Sequence, residues 1–392
     1  MSESFDVVVA GGAAVGSSIA YHLTATPGLR VLVLEPDPSY ARAASALSAA
    51  SIRQQFSSAV NVKLSLYGIE FLRGLGERLA LGGERPEIGL KEGGYLFLAT
   101  RSGEATLREN HALQTALGAD IAFFDRAGLA AKFPWLAVDD LAAGTWGRTG
   151  EGWFDGYGLV QALRRKARAQ GVEFRKAALA RIEMRGGRAE TLHLDDGTNL
   201  ACGHLAIAAG TGARDLVRQT GFDIPVRPKK RFVFAFECRE KLAAAPLLID
   251  PTGVYFRPEG EGYIGGASPP EDADPDVARD DFEVDYGFFD EHVWPALASR
   301  VPAFEAIKRG RAWAGHYDMN LFDANALIGF VPGTANVILA NGFSGHGLQQ
   351  SPGVGRGIAE LVVHGRHTSL DLSELSPARL VENRKVIEKN VV

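Results

Sequence analysis

Cysteine is scarce in this chain of 392 residues, which contains only Cys202 and Cys238. Two cysteines cannot build a disulfide framework or a cysteine-based metal site, and their scarcity fits a reducing compartment. No apolar run is long enough to cross a membrane, and the first strand is predicted to begin at Phe5, which leaves no room for a signal peptide. These absences predict a cytoplasmic protein without a membrane span.

An excess of positive charge is also missing. Lys and Arg number 42 against 47 Asp and Glu, a net charge of −5, which favours neither nucleic acid nor an anionic membrane as a partner. No metal centre is predicted either. The acidic segment 271–281 is expected to be a solvated loop, because Pro275 and the spacing of its carboxylates fit no calcium loop. A chain of this length usually exceeds one hydrophobic core, so two domains are expected.

Glycine, by contrast, is concentrated in two turns that each follow a short apolar strand. The first turn runs from Gly11 to Gly16, between a predicted strand over 5–10 and a helical pattern. A second strand over 30–34 ends at Glu35, 19 residues beyond Gly16 (35 − 16), which is the spacing of a Rossmann unit. The helix N-terminus can bind a phosphate, and Glu35 can accept hydrogen bonds from ribose hydroxyls.

One residue departs from this fingerprint, because Ala13 occupies the position where a second glycine is usual. Its methyl group should push the phosphate slightly outwards or shift the turn. The carboxylate of Glu35 would repel a 2′-phosphate, which argues against NADP. A tight strand-to-helix turn that binds no ligand is the alternative interpretation.

The second turn, residues 342–347, places three glycines in six residues after a strand near the C-terminus. Such density indicates left-handed backbone or close approach to a flat group. Ser351 is predicted to cap the following helix, with Pro352 at its first position, and that helix N-terminus suits the pyrimidine edge of a flavin. The alternatives are a simple packed loop, or a nucleophile elbow at Ser344, which would need glycine where His346 stands.

Two such turns at opposite ends of one chain predict a long dinucleotide held at both ends, as FAD is. Between them the sequence changes character, with strand patterns of a mostly antiparallel sheet. The predicted fold is α/β (α+β), a Rossmann-like FAD-binding domain with an inserted antiparallel-sheet substrate domain. The expected boundaries are 1–88, 140–225 and 321–392 for the discontinuous FAD-binding domain, and 89–139 and 226–320 for the substrate and catalytic domain.

The chain resembles the flavin-dependent family of D-amino acid oxidase, glycine oxidase and sarcosine oxidase over nearly its whole length. The first turn, residues 45–53, Ala209-Gly210 and the second turn carry that resemblance. Within the family it is similar to the FAD-dependent oxidoreductase domain proteins tied to mitochondrial complex I assembly. The segments that carry this second match are 52–56, 254–257, 313–317 and 342–350.

The resemblance implies bound FAD and a substrate that is an amino acid, often N-alkylated, which loses a hydride from carbon to the flavin. It also extends the cofactor site beyond the two turns. The predicted cofactor-binding residues are Gly11, Gly12, Ala13, Ala14, Val15, Gly16, Glu35, Pro36, Ala44, Ser45, Ser48, Ala49, Ala50, Ser51, Leu179, Ala209, Gly210, Gly212, Gly315, Gly342, Phe343, Ser344, Gly345, His346, Gly347, Leu348 and Gln349.

Four departures from the family pattern matter for the chemistry. Gly315 stands where sarcosine oxidase has the cysteine that binds its flavin, and residues 43–51 contain no histidine for the other known linkage, so FAD is predicted to be non-covalent. Residues 262–265 lack the lysine thought to activate oxygen, and Gln349 replaces a carboxylate-binding lysine. The electron acceptor is therefore left open between oxygen and another molecule.

Seven residues are candidates for catalysis or substrate binding. Arg53 is the favoured carboxylate anchor, because a guanidinium binds a carboxylate in a bidentate manner; the alternative is a surface arginine. Arg257 could supply the second cation missing at Gln349, or form an edge-strand ion pair. The set is Arg53, Tyr255, Arg257, His316, Tyr317, His346 and Gln349.

The remaining candidates each have a structural alternative. His316 and Tyr317 alternate on a strand, so only one should face the flavin, and Tyr317 is favoured. His346 could stabilise the reduced ring or only bond the backbone, and Tyr255 could close the pocket or belong to the core. The basic run 227–231 is expected to be a solvated strand entry that could attract acidic substrates.

These observations predict an FAD-dependent oxidoreductase that oxidises the C–N bond of an amino acid or N-substituted glycine to an imine. The substrate could be sarcosine-like or a dicarboxylic secondary amine, with one arginine for each carboxylate. Two alternatives stay open: an NAD-dependent dehydrogenase, and a flavoprotein that acts mainly as an assembly or scaffold partner. The oligomeric state is not predicted.

Overall fold

The computed structural model describes residues 3–389, whose strands form two eight-stranded sheets and one two-stranded sheet. In chain order the strands are β1 (Glu3–Ala10), β2 (Val31–Leu34), β3 (Ser51–Ile52), β4 (Tyr95–Ala99), β5 (Ile121–Asp125), β6 (Ala143–Gly147), β7 (Gly152–Trp153), β8 (Glu173–Arg175), β9 (Leu179–Arg185), β10 (Arg188–Leu194), β11 (Asn199–Ile207), β12 (Val226–Cys238), β13 (Leu247–Ile249), β14 (Tyr255–Glu259), β15 (Gly262–Gly266), β16 (Ile307–Asn320), β17 (Leu327–Phe330) and β18 (Val337–Asn341).

Helices pack on the sheets and connect them. They are α1 (Ala14–Leu23), α2 (Ala44–Leu47), α3 (Ala59–Arg73), α4 (Leu75–Arg78), α5 (Glu104–Ala116), α6 (Arg126–Lys132), α7 (Gly156–Ala169), α8 (Ala213–Arg218), α9 (Tyr286–Phe288), α10 (Trp294–Arg300), α11 (Gly347–His364) and α12 (Ala378–Val381). A π-helical turn, Phe289–Val293, joins α9 to α10.

The first sheet is parallel through its centre, in the order β18-β11-β1-β2-β8, with β17 antiparallel at one edge. Its central strand β1 carries Val7, Val8 and Val9, which are all fully buried. An apolar run of this kind is typical of a parallel strand that is covered on both faces. Helices α1 and α11 pack against each other beside this sheet, so the first and the last large elements of the chain are neighbours.

The second sheet has the order β16-β12-β15-β14-β13-β4-β6-β5 and is antiparallel except where β4 meets β13. Buried phenylalanines, including Phe234, Phe236, Phe256 and Phe304, form its core together with α10. Strand β6 pairs in this sheet, although the predicted boundary at residue 140 groups it with the FAD-binding part. The domain boundaries themselves stay a prediction.

Strands β1, β2, β11 and β18 run in the same direction, so their carboxyl ends meet at one edge of the first sheet. Parallel α/β sheets bind ligands outside this edge. The segments that follow these strands share a cavity with residues of β12, β14 and β16 from the second sheet. The topology therefore brings both glycine turns to the boundary between the two sheets.

The predicted cap of the last long helix is wrong. Helix α11 begins at Gly347, not after Ser351, and Pro352 lies inside it. A proline there removes the N–H that would bond the carbonyl four residues earlier. The Ser351 hydroxyl donates to that carbonyl, of Leu348, at 2.9 Å, so the helix continues through the proline.

A buried ion pair holds the C-terminal segment against the first sheet. Arg379 donates from Nε to Asp323 at 2.8 Å, and both side chains are fully buried. The same guanidinium donates to the Asn325 and Leu375 carbonyls, at 2.9 and 2.6 Å. Because these bonds satisfy the buried cation, α12 is fixed to the turn after β16.

We expect Asp323→Ala to reduce the free energy of unfolding by about 3–5 kcal/mol, since it leaves the Arg379 charge buried without its anion. Urea denaturation followed by circular dichroism measures the change. Glu77→Ala is the matched control, because its ion pair with Arg85 has side chains that are 70% and 66% exposed. That control should change the free energy by less than about 0.5 kcal/mol, and equal losses in both variants would contradict the expectation.

Candidate active site

One cavity of about 690 Å³ lies between the sheets and receives both glycine turns. Its size falls in the range of small-molecule and cofactor sites. Most of the predicted residues line it. These are Gly11, Ala13, Ala14, Val15, Glu35, Pro36, Ala44, Ser45, Ser48, Ala49, Ser51, Arg53, Leu179, Ala209, Gly210, Gly212, Tyr255, Gly315, His316, Tyr317, Phe343, Gly345, His346, Gly347, Leu348 and Gln349.

Six predicted residues lie outside the lining and support it from behind. A Cβ on Gly16 would overlap the Gly11 carbonyl, so this glycine lets α1 approach the turn. The Ser344 hydroxyl accepts from the Asn320 N–H at 3.0 Å, inside the protein. The six are Gly12, Gly16, Ala50, Arg257, Gly342 and Ser344.

Arg257 does not reach the cavity as a second cation. Its Nε donates to the Ala49 carbonyl at 2.9 Å, and Nη1 donates to the Pro258 carbonyl at 2.9 Å and to the Glu259 carboxylate. The alternative interpretation, an ion pair on a strand, describes this geometry. Through Ala49 the arginine fixes the backbone of a segment that does line the cavity.

The first turn presents an uncapped helix to the cavity. Helix α1 has Ala13 as its N-cap residue, with no side-chain hydrogen bond to the helix and no acidic residue in its first turn. Its first N–H groups and the positive end of its dipole therefore suit an anion. Glu35 accepts from the Gly12 and Asp37 N–H groups, both at 2.9 Å, and burial raises the pKa of its carboxyl.

The second turn is held by a buried carboxylate. Asp318 accepts from the N–H groups of Gly342 at 2.8 Å and Phe343 at 3.2 Å, and from the Asn341 side chain at 3.0 Å. Burial raises the pKa of Asp318 to about 6. These bonds set the course of the glycine turn into α11.

Helix α11 also opens towards the cavity without a cap. Its N-cap residue, His346, makes no side-chain bond to the helix, and the first turn carries no acidic residue. Two uncapped helix N-termini thus face one elongated cavity. This arrangement fits FAD, with the diphosphate at α1 and the flavin ring, which gains negative charge on reduction, at α11.

Arg53 lies beside the second turn and is only 3% exposed. Its Nη2 donates to Nε2 of His346 at 3.1 Å, and its Nη1 donates to the Gln55 carbonyl. Because a guanidinium only donates, Nε2 of His346 must be the acceptor, which makes this histidine neutral with its proton on Nδ1. Burial, and then the charge of Arg53, lower the pKa of His346 well below its ordinary value.

Gln349 holds the backbone of this arginine. Its Oε1 accepts from the Arg53 N–H at 2.9 Å and from the Ser65 hydroxyl at 3.2 Å. Gln349, at the position where the resemblance implies a lysine, therefore adds no charge to the cavity. It fixes the strand segment from which Arg53 extends.

Sequence reasoning missed Glu151, a fully buried carboxylate behind Arg53. It accepts from the backbone N–H of Gln54 at 2.5 Å and of Gln55 at 3.1 Å, and from the Gln55 side chain at 2.8 Å. Burial raises its pKa to about 7, against the opposing effect of these bonds and of the Arg53 charge. Glu151 lies 98 residues from Arg53 (151 − 53), and no motif marks it.

Three tyrosines surround the inner part of the cavity. Burial raises the pKa of Tyr95 to about 12 and raises those of Tyr255 and Tyr317 as well, so all three keep their protons. The ring of Tyr317 touches the position where Gly345 would carry a Cβ, so that glycine leaves room for the ring. The protonated Tyr95 hydroxyl donates to the Ser51 hydroxyl, which also lines the cavity. Tyr95 was not predicted, because β4 resembles any buried apolar strand.

Both His316 and Tyr317 line the cavity, so which of them faces the flavin stays a prediction. They do so in different surroundings. His316 packs on Phe282, with ring centroids 4.4 Å apart, and its Nε2 lies 2.7 Å from the Asp281 carbonyl oxygen. Tyr317 lies on the inner side of the cavity, with its ring centroid 5.2 Å from the Cζ atom of Arg231.

The basic run and the acidic segment, predicted to be separate solvated stretches, pair with each other. We call residues 271–282 the acidic strap, because they lie across β12. Arg231 and Asp274 form a bidentate pair with both distances at 2.8 Å, and Lys230 bonds Asp281 at 2.7 Å. Arg227 and Lys229 both pair with Asp276.

The described part of the chain contains no cluster of three side chains suited to a metal ion. Nor does any helix within residues 3–389 have the length and apolar character needed to cross a bilayer. The two free cysteines, Cys202 and Cys238, lie outside the cavity lining, so neither is placed for a thioether to a flavin.

Comparison with known proteins gives consistent matches. A family model described as FAD dependent oxidoreductase, DAO, matches residues 6–361. FAD-dependent oxidoreductase domain-containing protein 1 is 39% identical in Xenopus laevis, covering 100% of this chain and 85% of that protein. The Bos taurus protein of the same name is 40% identical, covering 98% of this chain and 87% of that protein.

Solved structures also match over nearly their full length. L-proline dehydrogenase from P. horikoshii superposes with a TM-score of 0.85 at 24% identity, covering 98% of this chain and 100% of that one. Glycine oxidase from Geobacillus kaustophilus gives 0.81 at 24% identity, covering 96% and 99%. At this identity the matches establish the fold.

Glu151 should make stability fall as the pH rises. Its pKa of about 7 in the folded protein exceeds the ordinary 4.5, so the folded state binds the extra proton between those values. The contribution of Glu151 to the free energy of unfolding is therefore greatest below pH 4.5, and on the order of 3 kcal/mol of it is lost by pH 7.

Glu151→Gln should flatten this pH dependence, whatever its effect on absolute stability. Urea denaturation at several values between pH 4.5 and 7 measures the slope. Glu77→Gln, at a carboxylate whose side chain is 70% exposed, serves as the control and should keep the wild-type slope. An unchanged slope in Glu151→Gln would show that Glu151 does not titrate in this range.

Proposed function

The chain belongs to the DAO family of FAD-dependent oxidoreductases, and on that premise we propose that it oxidises the C–N bond of an amino acid or N-substituted glycine to an imine. It is an enzyme for CH–NH donors with FAD as its cofactor. The finer proposal concerns the substrate, which would carry a carboxylate next to the amine. The NAD-dependent alternative is set aside by the family.

The single observation that carries this proposal is the position of Arg53. A buried guanidinium projects beside the turn where the flavin ring is expected, between two phenylalanine rings 4.1 and 5.2 Å from its Cζ atom. Gln349 and Glu151 fix the backbone around it. A buried cation held in this way is suited to one geometry of a bound carboxylate.

When bound, FAD supplies the hydride acceptor for such a reaction. The chain's own residues would orient and enclose the substrate. Arg53 would hold the carboxylate, and the phenol rings of Tyr95, Tyr255 and Tyr317 would bound the pocket. The substrate amine would have to bind neutral, since the described cavity places no strong base beside Arg53 and His346 is already an acceptor from it.

The solved relatives offer support of a limited kind. L-proline dehydrogenase and glycine oxidase are named for α-amino acids, in which a carboxylate lies one carbon from the amine.

An assembly or scaffold role is the second candidate, and it predicts bound FAD that no amino acid reduces. The electron acceptor, oxygen or another molecule, is not assigned by the geometry.

Anaerobic bleaching of the flavin tests the proposal. The purified protein should show flavin absorbance, and a panel of N-alkyl amino acids and dicarboxylic amines should include at least one that bleaches it. Arg53→Met should weaken apparent binding of that substrate about 10- to 150-fold, from the loss of roughly 1.5–3 kcal/mol of charged hydrogen bonding.

The matched control is Arg85→Met, because the Arg85 side chain is 66% exposed and far from the cavity lining. It should bleach like the wild type. A flavin that no member of the panel reduces would favour the scaffold role. Oxygen uptake with the active substrate then separates an oxidase from a dehydrogenase.

His346 should not control the pH dependence of flavin reduction. Burial and the neighbouring Arg53 charge keep its pKa well below the ordinary value, so it stays neutral across pH 6–9. His346→Gln should therefore lower the bleaching rate without changing the shape of its pH profile. Loss of an inflection in the variant would contradict this expectation and identify His346 as the titrating group.

A further inference from the structure

Besides Arg53, the largely buried Arg231 lines the cavity from the second sheet. Arg231 projects from β12, is 9% exposed, and lies with its Cζ atom 5.2 Å from the ring centroid of Tyr317. The positive charges of Arg231 and Arg53 both lower the pKa of the Tyr317 phenol against the larger effect of burial. Tyr317 is therefore under the influence of both guanidinium groups.

The present partner of Arg231 is a carboxylate. Asp274 accepts from Nη1 and Nη2, both at 2.8 Å, in the bidentate geometry by which arginine binds free carboxylates. Asp274 belongs to the acidic strap, which has no strand or α-helix of its own. The Asp274 side chain, which lies on a loop, thus pairs with a cation that lines the cavity.

The strap itself forms part of the cavity. Arg279 and Phe282 line it, and Phe282 stacks on His316. The strap is attached by side-chain pairs of different exposure: Arg279 pairs with Asp215 at 2.7 Å with side chains 52% and 61% exposed, whereas the Arg231–Asp274 side chains are 10% and 13% exposed. Exposed pairs contribute little to stability, so the Arg231–Asp274 pair is the attachment whose exchange matters most.

We propose that Arg231 binds the second carboxylate of a dicarboxylic secondary amine, and that Asp274 occupies this position until such a substrate replaces it. The inference rests on the proposed function, because Arg53 is assigned the first carboxylate there. It replaces Arg257, the second cation expected from the sequence, with a residue that reaches the cavity.

The exchange has a physical basis for selectivity. Removing Asp274 without a replacement leaves the buried Arg231 guanidinium without its anion, which is strongly unfavourable. A second carboxylate restores the pair, and the released Asp274 moves into water with its loop. A monocarboxylate has no second carboxylate to pair with Arg231, so it binds with Asp274 still in place.

Two unreactive ligands test the proposal by binding alone. Glutarate is iminodiacetate with the amine replaced by methylene, and butyrate is the corresponding analogue of sarcosine. Perturbation of the oxidised flavin spectrum gives the dissociation constant of each. We expect glutarate to bind at least tenfold more tightly than butyrate, and Arg231→Gln to remove that difference while leaving butyrate binding within about twofold.

Asp274→Asn distinguishes exchange from simple support of Arg231. If Asp274 competes with the ligand, the variant should bind glutarate several-fold more tightly than the wild type. If Asp274 only orients Arg231, the variant should bind it more weakly, which would overturn the proposal. Asp276→Asn is the matched control, since it removes one charge from the same strap at Arg227 and Lys229, which do not line the cavity. It should leave the ratio of the two constants unchanged.

The outcomes separate this inference from the proposed function. A flavin bleached by N-alkyl amino acids but perturbed equally by glutarate and butyrate would overturn only the role of Arg231. A flavin that no amine reduces, yet that prefers glutarate through Arg231, would overturn the oxidation and leave the dicarboxylate site standing. Flavin absorbance relative to protein absorbance verifies that each variant has folded.

Discussion

The positive charge of Arg53 is buried, and the surrounding residues are arranged to make that burial possible. A guanidinium removed from water needs hydrogen-bond acceptors for its N–H groups. It also needs negative charge in its surroundings to offset the loss of hydration. The Gln55 carbonyl and a neutral His346 are acceptors, two phenylalanine faces cover the planar group, and Glu151 lies behind it. The guanidinium is nevertheless part of the cavity lining, so its charge can act on a bound ligand.

Gln349 shows how this chain differs from its oxidase relatives at the same turn. Where the resemblance leads us to expect a lysine, the amide bonds the Arg53 backbone, so one cation is lost from the first sheet's side of the site. Arg231 brings a cation from the second sheet instead. The separation between these two positive charges is set by how the two sheets face each other.

The features predicted most reliably from sequence are those that local backbone chemistry determines. The two turns were predicted from glycines that follow apolar strands, and Glu35 was predicted from the strand spacing. Each of these predictions depends on a few neighbouring residues. Pairings between distant segments cannot be predicted in this way. Arg231 and Asp274 are 43 residues apart (274 − 231), and each looks like an ordinary surface residue in its own segment. The prediction that Arg257 reaches the cavity was wrong for the same reason. Only the fold reveals that the Ala49 carbonyl and the Glu259 carboxylate pair with its guanidinium.

The packing of α1 against α11 also has a consequence for the order in which the protein can be made. The two helices begin 333 residues apart (347 − 14). At about 5–20 residues per second, a ribosome needs between about 17 and 67 s to synthesise what lies between them. During that interval α1 can pack on α7 but not on α11, and the sheet lacks β17 and β18. The nucleotide-binding part contains the first and the last of these elements, so it is completed only when synthesis of the chain is nearly finished.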